Sequence, residues 1–200
     1  MTSGVKAIDY LSMAAFNYVL SFNYTNTYER LYGNKETEYC YIHGLAQDAS
    51  EKSNMILGID DSLPKEQVDR FFVFAKFKKY FQRISFKTGS QYRNWIKDII
   101  ESKPRVISER FELFIVGHSM GATDHDILRE FLNLTKYGVV VNIYYHNEQA
   151  KINLIEQTIR IMTKETLIER VHGEDSSTIR FIDQYDEEKG LFRKNSSAPL

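Results

Sequence analysis

The run Val139-Val140-Val141-Asn142-Ile143-Tyr144-Tyr145 constrains this chain more than any other stretch. It does not alternate between apolar and polar residues, so a strand built from it has both faces covered. Strands of that kind belong to parallel sheets clothed by helices. Apolar positions at helical spacing precede it over about 124–136, with Gly138 as a stop, and follow it over 148–171. Apolar strands at 111–116 and 178–183 continue the alternation. Nearer the N-terminus, Ile8, Leu11 and Ala15 have helical spacing over 6–16 and lead into a strand at 18–22, with short strands at 38–42 and 54–59. Pro64 suits the first turn of a long helix reaching about 86; Gly89-Ser90 breaks it, and a second helix covers 91–102. Strand alternating with helix predicts an α/β fold, a parallel sheet covered by helices on both faces, with a helical insertion at about 64–102. The strands near 18–22, 39–43, 111–116 and 139–145 are expected to share one sheet.

Two hundred residues, 42% of them hydrophobic, suit one domain, 1–188, followed by a charged, Ser-containing tail, 189–200, that is expected to be disordered. With 26 basic and 27 acidic residues, no global field recruits nucleic acid or an anionic membrane. The single cysteine, Cys40, forms neither an internal disulfide nor a multi-cysteine zinc site, which fits a reducing cytoplasm. Asp9, Ser12 and Asn17 interrupt the N-terminal apolar stretch, so neither a signal peptide nor a membrane span is expected. His118, His125, His146 and His172 lack the H-E-x-x-H arrangement, and no metal is expected.

Two readings attach to Gly117-His118-Ser119-Met120-Gly121, which fits the G-x-S-x-G nucleophile elbow of serine hydrolases and lies between strand and helix as the elbow does. In one, Ser119 is a nucleophile, with Asp124, Asp183, His146 and His172 as candidate partners. Against it, the last hydrolase loop delivers the acid before the histidine, and the helix after an elbow starts with smaller residues than Ala122-Thr123-Asp124-His125-Asp126. In the other, the glycines permit a sharp turn and Ser119 caps or lines it.

A wider constellation appears at the ends of the strands. Ser21-Phe22-Asn23-Tyr24-Thr25-Asn26, Tyr41-Ile42-His43-Gly44 and Gly117-His118-Ser119 are polar clusters, each at a strand's carboxyl end, where open parallel sheets bind ligands. Taken in order, SFNYTNTYE, YIHG, ILGIDD, IVGHSMGATDHD and NIYYHN resemble the bacteriophage abortive-infection AbiH family, which is related to sirtuin-like NAD-consuming domains. The resemblance covers most of 17–146. It implies a Rossmann-like sheet, with NAD or a related nucleotide as substrate and no metal. It implies catalytic roles for Asn23 and His43, and nucleotide-binding roles for Tyr24, Gly44, Gly117, His118, Ser119 and Asp124. The chemistry implied is cleavage of the nicotinamide–ribose bond, with Asn23 holding a ribose hydroxyl or water and His43 taking its proton. The family's opening strand and Gly-rich loop, G-N-G-F-D, is not found ahead of or within Met1-Thr2-Ser3-Gly4. The chain is therefore expected to be N-terminally truncated and inactive on NAD by itself. The competing expectation is a catalytically silent defence module that senses a phage-derived trigger or nucleic acid.

Nucleic acid is a candidate partner through 75–97. Seven basic residues (Lys76, Lys78, Lys79, Arg83, Lys87, Arg93, Lys97) are interleaved there with Phe77, Tyr80, Phe81, Phe86, Tyr92 and Trp95, without an acidic residue. The structural alternative is a pair of amphipathic helices that bury the aromatics and solvate the lysines.

Overall fold

A computed structural model describes residues 15–46, 54–58, 75–86, 90–102, 110–172, 177–186 and 189–191. It divides into two compact units: Ala15–Asp98, and Ile99–Leu200 with Met1–Ala14. Residues 6–14 of the helix expected at 6–16 and the start of the helix at Pro64 fall outside the described residues, and Ala15 and Phe16 are not helical.

In the unit Ala15–Asp98, strand β1 (Tyr18–Ser21) is followed by helix α1 (Thr27–Tyr32) and strand β2 (Glu38–Tyr41). The two strands pair in parallel, Tyr18 opposite Glu38 and Ser21 opposite Tyr41. One short helix between parallel neighbours is a compact crossover. After a single 3-10 turn, Ala75–Phe77, come helices α2 (Lys79–Phe86) and α3 (Tyr92–Ser102). The helix expected to run unbroken to 86 is thus interrupted at Lys78, which is buried at 1% exposure. Trp95 is buried; it stacks on Tyr18 at 4.9 Å between ring centres and donates its indole N–H to Glu38 Oε2 at 2.8 Å. A buried indole needs such an acceptor.

The expected strand at 54–59 is absent from its described part, 54–58, whose polar groups are satisfied by loops instead of a ladder. Ile56 N–H donates to His43 O at 2.8 Å, and Ile56 O accepts from Tyr24 Oη at 2.7 Å.

In the other unit, strands β3 (Glu112–Ile115), β4 (Val140–Tyr145) and β5 (Ile179–Asp183) form a parallel sheet in that order. Every residue of β4 except Tyr145 is buried, and Val141 and Ile143 are at 0% exposure. Burying such side chains stabilises by about 1.5–3 kcal/mol each. Between β3 and β4 lies helix α4 (His125–Leu132), tightening into a 3-10 turn, Asn133–Tyr137, that ends on left-handed Gly138 at φ 84°. The expected helix at 148–171 is two helices, α5 (Glu148–Met162) and α6 (Lys164–Val171). Thr163 at φ 77° ends the first, and its Oγ1 caps the second by accepting from Thr166 N–H at 3.4 Å. A β-branched residue seldom adopts a positive φ, and that departure from helical dihedrals separates the two helices although Thr163 N–H still donates to Ile159 O at 3.0 Å. Helices α5 and α6 pack on β4 and β5 respectively.

The fold is α/β with parallel strands and flanking helices, as expected. Among the described residues the strands fall into two sheets, β1-β2 and β3-β4-β5, where one was expected. Every buried strand offers the same backbone donors and acceptors, so the apolar pattern locates strands without naming their partners. The tail expectation also changes at its start, because Leu191 is buried at 1% and its N–H donates to Gln184 O at 2.8 Å. Residues 192–200 lie outside the described residues.

Candidate functional site

Two clusters follow strand ends, one in each unit. At the carboxyl edge of β1-β2, Ile42 N–H donates to Ser21 O at 3.0 Å, and Ala46 N–H donates to Tyr24 O at 2.7 Å. These bonds zip the two post-strand loops together and bring Asn23, Tyr24, His43 and Gly44 to one edge. Gly44 N–H closes a turn onto Tyr41 O at 3.0 Å with φ 75°, a conformation that glycine adopts without strain. Asn54 fastens that turn, its Oδ1 accepting from Leu45 N–H at 3.0 Å.

His43 is 3% exposed, with Phe22 edge-on at 5.7 Å between ring centres and Tyr24 tilted against it at 6.0 Å. Its Nε2 is 3.5 Å from Lys79 Nζ, at the start of α2. An ammonium only donates, so in this contact Nε2 takes the accepting role. Asn23 has its side chain exposed, and its backbone N–H donates to Ser21 Oγ at 3.2 Å. The Tyr24 hydroxyl is committed to Ile56 O and Gly44 is buried, so both hold the loop in shape. Beside them the Tyr41 hydroxyl donates to Glu29 Oε2 at 2.6 Å; burial first, then that carboxylate, push its pKa well above the usual phenol range.

The second cluster follows β3. Gly117 takes φ 65° in open space, Ser119 is exposed, and Met120 is fully buried at φ 54°. Thr158 Oγ1 lies 3.8 Å from Met120 Sδ, and Met120 O is 3.0 Å from His125 Nε2. That nitrogen also faces Gln157 Oε1 at 3.3 Å, so it carries a proton that both acceptors share. Met120 N–H donates to His118 Nδ1 at 2.9 Å. His118 is therefore neutral with its proton on Nε2, which lies 3.7 Å from Oδ2 of buried Asp124. Gly117, His118, Ser119 and Asp124 are thus brought together in one loop, ordered around Met120.

This geometry bears on the hydrolase reading. A nucleophile elbow strains the serine itself. Here the positive φ belongs to Met120 and not to Ser119. Among the described residues no histidine hydrogen-bonds Ser119 Oγ, and no group of three His, Cys, Asp or Glu side chains is arranged to hold a metal.

Sequence reasoning missed Lys79. It read Lys76, Lys78 and Lys79 together as phosphate contacts or solvated cations, whereas Lys78 is buried and Lys79 reaches His43, 36 residues away in sequence. No local pattern announces a contact of that span. A Cβ on Gly58 would meet Lys79 Cα at 2.7 Å, so the close approach that seats Lys79 was marked in sequence only by a glycine.

Parallel strands flanked by helices, with polar loops after the strand ends, define an α/β protein. The chain belongs to the family described as Bacteriophage abortive infection AbiH, whose model matches residues 5–146, and so is a phage-defence protein of the abortive-infection class. No curated protein and no solved structure matches it. No helix among the described residues is long and apolar enough to cross a membrane.

Proposed function

We propose that this abortive-infection protein acts by cleaving NAD to nicotinamide and ADP-ribose, with Asn23 and His43 as its catalytic residues. The observation that carries the reading is their placement: each follows the carboxyl end of one of two adjacent parallel strands, where nucleotides bind in open sheets. Water attacks the ribose carbon that bears nicotinamide. The glycosidic electron pair leaves on the ring nitrogen, so the pyridinium becomes neutral nicotinamide, and the proton of the water passes to His43 Nε2. Lys79 gives up its contact with that atom in exchange. The transition state is a cationic, oxocarbenium-like sugar, as in other glycosidic cleavages. The Asn23 amide, exposed at the loop, orients the water or a ribose hydroxyl.

The test follows nicotinamide release by chromatography, using the complete native reading frame expressed in cells challenged with phage. Asn23→Ala and His43→Ala should each lower the rate roughly 100-fold or more, the scale of a general acid–base residue. Asn23 is exposed, so its loss of activity is separable from misfolding. Absence of NAD loss during infection, or His43→Ala protein that cleaves as fast as the parent, overturns the assignment.

A further inference from the structure

We infer that Lys79 is a gate on His43, covering the nitrogen that the reaction needs and holding the resting site shut. That Nε2 is the nitrogen needed rests on the NAD-cleavage reading; the cover over it does not. His43 is 3% exposed. Phe22 and Tyr24 stand against its ring at 5.7 and 6.0 Å between centres, and Lys79 Nζ lies 3.5 Å from Nε2. A general base has to come within hydrogen-bond reach of the proton that it takes. A water therefore reaches Nε2 only after the ammonium has left it.

Of these neighbours Lys79 is the one suited to move. Tyr24 is tied by its hydroxyl to Ile56 O at 2.7 Å, and an aromatic ring has few rotatable bonds. The backbone of Lys79 is clamped: a Cβ on Gly58 would lie 2.4 Å from Lys79 N and 2.7 Å from Lys79 Cα, and the preceding Lys78 is buried at 1% exposure. Beyond that fixed foot runs a long flexible stem, half-buried, whose charged head is at home in water. The contact at its tip is longer than the roughly 2.7–3.2 Å of a well-formed N–H donor bond, so it screens the imidazole without gripping it. A rotation of this side chain opens Nε2 and leaves the loop of His43 in place. Cleavage of the cell's own NAD has to stay low until infection, and a screened base supplies that restraint.

Diethyl pyrocarbonate, which acylates accessible imidazole nitrogens, tests the cover on the intact chain, with mass spectrometry reading His43 against His146 and His172, both exposed. In the parent His43 should be acylated far more slowly than those two. In Lys79→Ala its rate should rise severalfold toward theirs, while Lys79→Arg, which keeps a long cationic side chain at the position, should stay slow. Trp95 fluorescence checks the fold of each variant. With the complete native reading frame in cells not exposed to phage, Lys79→Ala should release nicotinamide faster than the parent, whereas loss of a merely structural lysine lowers the rate or leaves it unchanged. Three results overturn the gate: His43 acylated as fast as His146 in the parent; equal His43 rates in the parent and Lys79→Ala; or, where the parent cleaves NAD during infection, Lys79→Ala protein that cleaves no faster than the parent without phage. If neither protein cleaves NAD during infection, the NAD reading falls, and the acylation rates still decide the cover.

Discussion

Replacing Gly44 with alanine probes the loop that carries His43. Gly44 sits at φ 75°, and a Cβ there would meet Asn54 C at 2.7 Å and Asn54 Oδ1 at 2.8 Å, besides touching Asn54 O. The left-handed conformation costs a non-glycine residue about 1–2 kcal/mol. Relieving the clash moves Asn54, whose Oδ1 holds Leu45 N–H at 3.0 Å; losing that hydrogen bond adds about 1 kcal/mol. The expected destabilisation is about 2–3 kcal/mol. For a unit the size of Ala15–Asp98, at about 4–8 °C per kcal/mol, the midpoint falls by roughly 10–20 °C. The assay is built into the chain, because its one tryptophan, Trp95, is buried in this unit against Tyr18. Its fluorescence in a thermal ramp reports this unit directly. Gly117→Ala is the contrast: φ is 65°, yet nothing lies within 4 Å of the added Cβ, so only the conformational cost of about 1–2 kcal/mol applies. A Gly44→Ala protein whose Trp95 transition stays within a degree or two of the parent's refutes the close-packed loop.

Three further outcomes are expected. Ser119 should stay unlabelled by a fluorophosphonate probe, since no histidine among the described residues is placed to activate it; stoichiometric labelling abolished by Ser119→Ala would revive the hydrolase reading. Cys40 is buried at 5% exposure, and burial pushes its thiol pKa up, so Ellman's reagent should react with it only as the protein unfolds; complete reaction with the native protein at neutral pH contradicts this. Burial, with Tyr39 and Tyr32 nearby, pushes Tyr28 up to about 12 from 10. Because the folded state holds this proton more tightly, its contribution to stability is complete below about pH 10 and is lost as the pH rises through about 12. Tyr28→Phe should therefore flatten the alkaline loss of stability seen in denaturant titrations, and an unchanged pH profile counts against the shift.

Much of the fold was legible along the chain because the relevant physics is local. Residues 139–145 read as a strand covered on both faces, and β4 is buried accordingly; Gly138 read as a helix stop and adopts the left-handed region that few other residues tolerate. The candidate site was legible to the extent that strand ends were: Asn23 and His43 follow neighbouring strands because 18–22 and 38–42 were recognisable as strands. Thr163 carried no such mark, and its φ of 77° splits what periodicity joined into one helix. Tertiary structure alone decided which strands pair, giving two sheets among the described residues where one was expected, because identical backbone groups on every strand leave the choice to packing. It also decided what His118 and His43 face, Met120 N–H at Nδ1 of the one and Lys79 at Nε2 of the other. The same lysine-rich segment shows the division most plainly. Composition marked it as basic and aromatic, but whether Lys78 or Phe81 turns inward depends on what the rest of the unit offers each side chain, and one-dimensional spacing does not contain that information.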